Sequence, residues 1–382
     1  MPLTPPGYRP RIIEKSLALH LGAFGAVEVR GPKWCGKTWL SLSQANSVAR
    51  LDDASVRGAA ELDPGLVLQG DEPHLIDEWQ EVPPVWDAVR RAVDEGAGRC
   101  GRFLLTGSST PAMDRVVHSG AGRIARLRME PMTLFEQGIS NGAASISALM
   151  RGEDVPAAQS RASLGDVVES LCRGGWPAVQ ERPAMLAGLV PSQYIEALCD
   201  GADEKEGLDA SYMRWMLYAL ARNDGGAASL ETIARDTSQG EDPTSADRAA
   251  VARYLDYLEK NYLVRNLGGW EAPVKARART RMWPKRYLVD PSLSAALLGC
   301  DAERLLFERQ QLGALFESLC LRDLSAYLEA STELRQPSLY YYRDSYGLEV
   351  DAVIEVLGGR WGLLRSSWMS PRPMLLRRVS CA

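Results

Sequence analysis

The chain has 382 residues, of which 46% are hydrophobic and 24% charged, with a net charge of −5. That is the composition of a soluble globular protein of about two to four domains, and it argues against wholesale coating of nucleic acid. Seven scattered cysteines with no C-x-x-C pair and only three histidines exclude a recognisable zinc or disulfide framework and leave little material for histidine chemistry. No apolar run is long enough to span a bilayer and no charged-then-apolar leader opens the chain, so no membrane partner and a cytoplasmic location with reduced thiols are expected.

A proline-rich arm, Pro2 to Pro6, leads into a short helix suggested by Ile12, Ile13, Leu17, Leu19 and Leu21. Ala26-Val27-Glu28-Val29-Arg30 then reads as a strand. Directly after it, Gly31-Pro32-Lys33-Trp34-Cys35-Gly36-Lys37-Thr38 fits the phosphate-loop (Walker A) pattern G-x-x-x-x-G-K-[ST], and Trp39-Leu40-Ser41-Leu42 can open a helix. Glycines let the backbone curl so that successive N–H groups face phosphate oxygens, and a helix N-terminus adds positive partial charge. Lys37 is expected to reach the β- and γ-phosphates of ATP, and Thr38 to place its hydroxyl on Mg²⁺. Only 7 of the 44 basic residues are lysine, so the Gly-Lys-Thr triplet is not a product of composition. Trp34 and Cys35 stand where small or polar residues are usual; Trp34 is placed to crowd or stack on the nucleotide, and Cys35 to make the loop thiol-sensitive.

Ser47 to Asp53 reads as a second strand ending in acids, and Gln80 to Arg91 as a helix. His74-Leu75-Ile76-Asp77-Glu78 is an apolar strand closing on two carboxylates, the usual (Walker B) partner of a phosphate loop. Asp77 is expected to hold Mg²⁺ directly or through water, and Glu78 to orient and polarise an attacking water. Gly101 to Ser109 is an apolar strand ending in a polar turn. Strands separated by helix-length segments imply a parallel α/β sheet.

Five stretches together carry a family resemblance: the phosphate loop; Ile76-Asp77-Glu78-Trp79-Gln80 with Val82-Pro83; Phe103 to Ser109; Ser119-Gly120-Ala121-Gly122-Arg123; and Met129-Glu130-Pro131-Met132-Thr133-Leu134-Phe135-Glu136. The chain resembles the prokaryotic AAA-type P-loop ATPases that carry a C-terminal domain of unknown function. The resemblance implies a strand-inserted P-loop core, with Ser108 or Ser109 sensing the γ-phosphate. It also makes Arg123 a candidate arginine finger, the alternative being a salt-bridged surface arginine.

Residues 141–205 read as a helical connector after a core of residues 1–140. In 206–300, three helix-period segments and a hairpin of Tyr262 to Leu267 with Arg286 to Asp290 suggest a winged-helix unit. Its intervening loop, 272–286, holds Lys275, Arg277, Arg279, Arg281, Lys285 and Arg286 without an acid, and also Trp283, a pattern suited to double-stranded DNA or to docking a protein. Residues 301–382 are expected to form a small α/β domain. In the family this part resembles a restriction-endonuclease core, to which Glu317 on a helix and Asp351 on a strand correspond, but the expected Glu-x-Lys is missing. After Gly362 the pattern is lost, as a shifted reading frame, a truncated gene or a variable tail would each produce, and a weakly packed end is expected.

The leading expectation is Mg²⁺-dependent ATP hydrolysis by Lys37, Thr38, Asp77 and Glu78, with Arg123 acting in cis or from a neighbouring copy. A nucleotide-gated binding switch is the alternative, and a nuclease a more distant third. The sequence does not fix the oligomeric state.

Overall fold

The computed structural model describes residues 2–109, 120–154, 160–238, 244–271, 283–344 and 348–365. The chain divides into two compact units. The first runs to Glu130 and takes in Lys260–Tyr262 and Glu329–Thr332; the second comprises the remaining described residues.

In the first unit the order is α1 (Glu14–Ala23), β1 (Ala26–Arg30), α2 (Lys37–Leu42), β2 (Ser47–Arg50), α3 (Ala54–Leu62), β3 (His74–Asp77), α4 (Pro84–Glu95), β4 (Phe103–Gly107) and β5 (Ile124–Arg128). The five strands form one parallel sheet in the order β2-β3-β4-β1-β5, with β4 inserted between the strand before the phosphate loop and the strand carrying the acids. Strand residues alternate between two cores, as a parallel sheet covered on both faces requires. Ala26, Ile76, Phe103, Leu105 and Ile124 pack with Trp79 and Trp86 on one face. Val27, Val29, Leu75, Leu104, Ala125 and Leu127 pack with Leu17 and Leu40 on the other. Because all strands run the same way, Arg30, Asp77 and Gly107 end at one edge of the sheet, where ligands of open α/β folds bind.

Two expected boundaries shift for local reasons. The second strand stops at Arg50 because Asp53 leaves the sheet to cap α3, its carboxylate accepting from the Ser55 N–H at 2.8 Å. The helix expected from Gln80 begins only at Pro84, where proline fits the first turn; Trp79–Glu81 form a 3₁₀ turn.

The second unit holds α5 (Ile146–Arg151), α6 (Leu164–Arg173), α7 (Ala184–Ala187) and α8 (Leu189–Glu206). Next come α9 (Ala210–Arg222), α10 (Leu230–Thr237), α11 (Ser245–Lys260) and the antiparallel pair β6 (Val264–Leu267) and β7 (Lys285–Leu288). Then follow α12 (Pro291–Leu297), α13 (Ala302–Phe307), α14 (Arg309–Ala330) and an antiparallel sheet β10-β9-β8 from β8 (Ser338–Arg343), β9 (Glu349–Val356) and β10 (Arg360–Leu364). Leu321, Leu324 and Leu328 present one face of α14 to Tyr341, Ala352, Ile354 and Val356. The segment after Gly362 does form a strand as far as Leu364, which is buried; residues 366–382, the rest of the tail, lie outside the described residues.

A buried ion cluster knits this unit. Arg322 pairs with Asp290 and Asp323, each at 2.8 Å; Asp290 also accepts from the Gly175 N–H at 3.0 Å and Asp323 from the Leu134 N–H at 2.9 Å. Among the described residues no helix is long and apolar enough to cross a membrane.

Candidate active site

The loop from Gly31 to Thr38 leaves the C-terminal end of β1 and enters α2. Gly31 is needed for clearance, since a Cβ there would meet the Met129 carbonyl oxygen at 2.2 Å, and Gly36 caps α2 at φ 101°. Trp34 adopts φ 64°, uncommon for an aromatic residue, and is 51% exposed. Lys33 is also exposed, whereas Pro32 is buried. Lys37 is buried and its ammonium donates to the carbonyls of Gly31 at 2.9 Å and Pro32 at 2.8 Å.

The acids of β3 face this loop. Thr38 Oγ1 donates to Asp77 Oδ1 at 2.9 Å, and Thr106 on β4 donates to the same oxygen. Burial pushes the Asp77 carboxyl up from its ordinary range; the bonds from Thr106 and Thr38 oppose that rise. Glu78 sits at φ 56° with its N–H donating to Thr106 Oγ1 at 3.2 Å. Its Oε2 accepts from Ser108 Oγ at 3.0 Å and from the Gln80 side-chain amide. Of the two candidate serines, Ser108 is therefore the one bonded to Glu78. The structure brings Gly31 to Thr38, Asp77, Glu78 and Ser108 to one edge of the sheet.

It does not bring Arg123 there. The Arg123 carbonyl accepts from Ala26 N–H at 3.2 Å, beside the first residue of β1, while the phosphate loop follows the last. The four-residue step along the strand is about 13 Å. The guanidinium pairs instead with Asp94 on α4 at 2.8 Å. Within one chain Arg123 is a salt-bridged surface residue, and the expectation of a finger acting in cis is corrected.

Cys35 is corrected too. Its thiol is fully buried, and burial pushes its pKa up, which disfavours the reactive thiolate.

The basic loop changes character at its end. Lys285 is buried and pairs with Glu317 at 3.0 Å and Glu349 at 2.6 Å; Arg286 donates to the Ala228 carbonyl at 2.7 Å. These two cations serve the fold rather than a phosphate backbone. Lys275, Arg277, Arg279 and Arg281 lie outside the described residues, and Trp283 is exposed. Glu317 also accepts from Tyr287 OH at 2.8 Å, so the helix glutamate matched to a nuclease core is engaged by a lysine and a tyrosine of β7.

Sequence reasoning missed two residues bonded to the acids, and a third that holds the loop from behind. Thr106 is the polar residue of an otherwise apolar strand, a signal that was available. Gln80 follows Glu78 by two residues, and a neutral amide at that spacing gives no chemical signal of its own. Arg11 donates to the carbonyls of Cys35 at 2.7 Å and Glu130 at 2.8 Å, and nothing in the sequence around it marks it.

Mg²⁺ fits these residues. It is normally held by one or two protein oxygens together with phosphates and waters, not by an all-protein cage. The adjacent Thr38 hydroxyl and Asp77 carboxylate are such a pair, and among the described residues no cluster of three His, Cys, Asp or Glu offers a cage.

Residues 24–137 match the family model described as an AAA domain, while 164–304 and 312–365 match two domains of unknown function, DUF8612 and DUF4143. Uncharacterized proteins of Mycobacterium bovis and Mycobacterium tuberculosis are each 29% identical over 351 residues, covering 90% of this chain and 70% of theirs. Among solved structures, a Walker-type ATPase of Pyrococcus abyssi aligns over 78% of this chain and 98% of its own, at 11% identity and a TM-score of 0.47. The Holliday junction branch migration motor RuvB of Thermotoga maritima aligns over 72% and 90%, at 20% identity and a TM-score of 0.30. The N-terminal part of the chain is thus an AAA domain of the P-loop ATPase type, followed by segments of two families of unknown function.

Proposed function

We propose that the chain binds ATP at Gly31 to Thr38 and hydrolyses it to drive a conformational change. The observation that carries this is the continuous hydrogen-bonded set Thr38–Asp77–Thr106–Glu78–Ser108 beside a loop whose lysine is already ordered. Lys37 meets the charge on the β- and γ-phosphates, and the loop N–H groups cradle their oxygens. Glu78 orients and polarises the water that attacks in line, with Ser108 fixing the carboxylate. Mg²⁺ held by Thr38 and Asp77 supplies further neutralisation of phosphate oxygens when bound. Any contribution of Arg123 comes from a neighbouring copy.

A second reading has a specific observation behind it. Glu78 Oε2 is already engaged by Ser108 and Gln80, which suits a nucleotide-gated switch that turns over slowly. Comparing wild type with Glu78→Gln separates the two. The hydrolase reading expects turnover to fall about 10²-fold or more with ATP still bound. Equal rates in the two proteins favour the switch.

In our reading residues 1–140 are the ATPase core, 141–205 a connector, 206–300 a winged-helix unit and 301–382 a degenerate endonuclease-like domain. Four cations between residues 272 and 282, with no acid among them, support contact with double-stranded DNA. Adding duplex DNA is expected to stimulate ATP turnover at low salt and not at high salt. No stimulation at either salt points to a protein partner.

A further inference from the structure

The phosphate loop is held by two buried cations, and only one belongs to the motif. Lys37 bonds the Gly31 and Pro32 carbonyls from within. Arg11, 6% exposed, bonds the Cys35 carbonyl at 2.7 Å through Nη1 and the Glu130 carbonyl at 2.8 Å through Nη2. The guanidinium is a rigid planar fork, so two bonds from its two Nη atoms fix the separation of the groups they hold. One of those groups is the last turn of the phosphate loop. The other is the chain leaving β5, which already walls the loop: Met129 N–H donates to the Arg30 carbonyl at 2.8 Å, and the Met129 carbonyl crowds Gly31.

Arg11 is itself anchored. Its N–H donates to Glu14 Oε1 at 2.9 Å, which also accepts from Tyr8 OH at 2.6 Å. Glu14 opens α1, and α1 is pinned to the core by the fully buried Leu17.

The consequence lies in the geometry of the peptide bond. A planar trans peptide points its C=O and the following N–H in opposite directions. Holding the Cys35 carbonyl therefore fixes the direction of the Gly36 N–H, which faces away from Arg11. Gly36, at φ 101°, is the residue whose backbone is freest to rotate if that hold is lost.

We propose that Arg11 is a positioning residue for the phosphate loop, holding the Cys35–Gly36 peptide so that the loop stands preformed for a triphosphate. The proposal rests on the nucleotide-binding reading above. In this proposal Arg11 acts through the backbone, by way of the Cys35 and Glu130 carbonyls. Without it the loop samples other peptide orientations, and apparent affinity falls by the fraction of molecules that remain competent. Bound nucleotide reorders the loop, so chemistry at saturation survives.

The test uses the full chain as wild type, Arg11→Ala and Arg11→Lys, with thermal melts to confirm folding. ATP turnover gives KM and kcat. Iodoacetamide labelling of Cys35 without nucleotide, followed by peptide mass spectrometry, reads loop order independently of activity. Arg11→Ala is expected to raise KM about tenfold with kcat within about threefold, as loss of preorganisation predicts. It should also speed Cys35 labelling about tenfold, with ATP restoring protection. Arg11→Lys, a point charge able to hold one carbonyl, should fall between. Unchanged KM with Cys35 still shielded overturns the proposal, as does a fall in kcat at constant KM. If Arg11→Ala does not fold, Arg11→Lys decides by the same two readouts. A wild type that neither binds nor hydrolyses ATP overturns the functional reading and the nucleotide half of this one. Cys35 labelling still decides whether Arg11 holds the loop.

Discussion

In the first unit Lys37 and Asp77 are both 5% exposed, yet each is bonded to neutral groups: the lysine to backbone carbonyls, the aspartate to threonine hydroxyls. In the second unit Lys285 is equally buried, but it bonds directly to Glu317 and Glu349. Neutral donors and acceptors orient a charge without cancelling it, whereas an ion pair spends its charge on itself. The first arrangement keeps a cation and an anion available to a charged ligand. The second is a clasp that fastens β7 to α14 and β9.

The sharpest way to break that contrast is Lys285→Met. It leaves Glu317 and Glu349 without their shared cation, and unfolding stability should drop by about 2 kcal/mol. That is less than the loss typical of a fully buried pair, because the Glu349 side chain is 36% exposed. Urea unfolding measures it, and ATP affinity should not move. A stability loss near zero would mean that Lys285 is no clasp.

Asp224 tests the same region through pH. Burial pushes its pKa up to about 7. Between its unfolded value of about 3.9 and that value, the folded state keeps a proton that the unfolded chain has lost. Its contribution to stability therefore falls as pH rises from about 4 to 7 and is level above that. Asp224→Asn should flatten this slope and stabilise the chain at pH 8 by about 2 kcal/mol, read from urea midpoints at pH 5 and 8. A slope unchanged by the substitution would contradict it.

Thr106→Val probes the support of the two acids in the first unit. The hydroxyl serves both Asp77 and the Glu78 N–H, and valine keeps the shape while removing it. Turnover at saturating ATP should fall about tenfold, or ~1.4 kcal/mol, with little change in melting temperature. Full activity in this variant would show that the acids need no support from β4.

Much of the first unit could be read from local pattern. The strand Ala26–Arg30, the loop after it and the strand His74–Asp77 with its terminal acid are short, periodic and bounded by glycine or proline. What local pattern lacks is direction across the sheet. Arg123 lies beside a strand with alternating charge, but only the parallel pairing of β5 with β1 shows that it starts at the far edge. Arg11 and Lys285 were illegible for a related reason. Arg11 reaches a carbonyl 119 residues away and Lys285 a carboxylate 32 away, and neither a basic residue before a helix nor one within a basic run carries a mark of so distant a partner. Glu317 and Asp351 were found by resemblance, whereas the cation that engages Glu317 comes from a strand outside that pattern.

If Gly31 to Thr38 is the triphosphate site proposed above, Lys37 holds its charge in reserve for the ligand. Calorimetric titration of the full chain with ATP and Mg²⁺, beside Lys37→Ala, tests it most directly. One nucleotide per chain in the wild type, with affinity weakened about 10²-fold or more in Lys37→Ala, is the predicted result. Equal affinity in the two proteins, or no binding by the wild type, would contradict it.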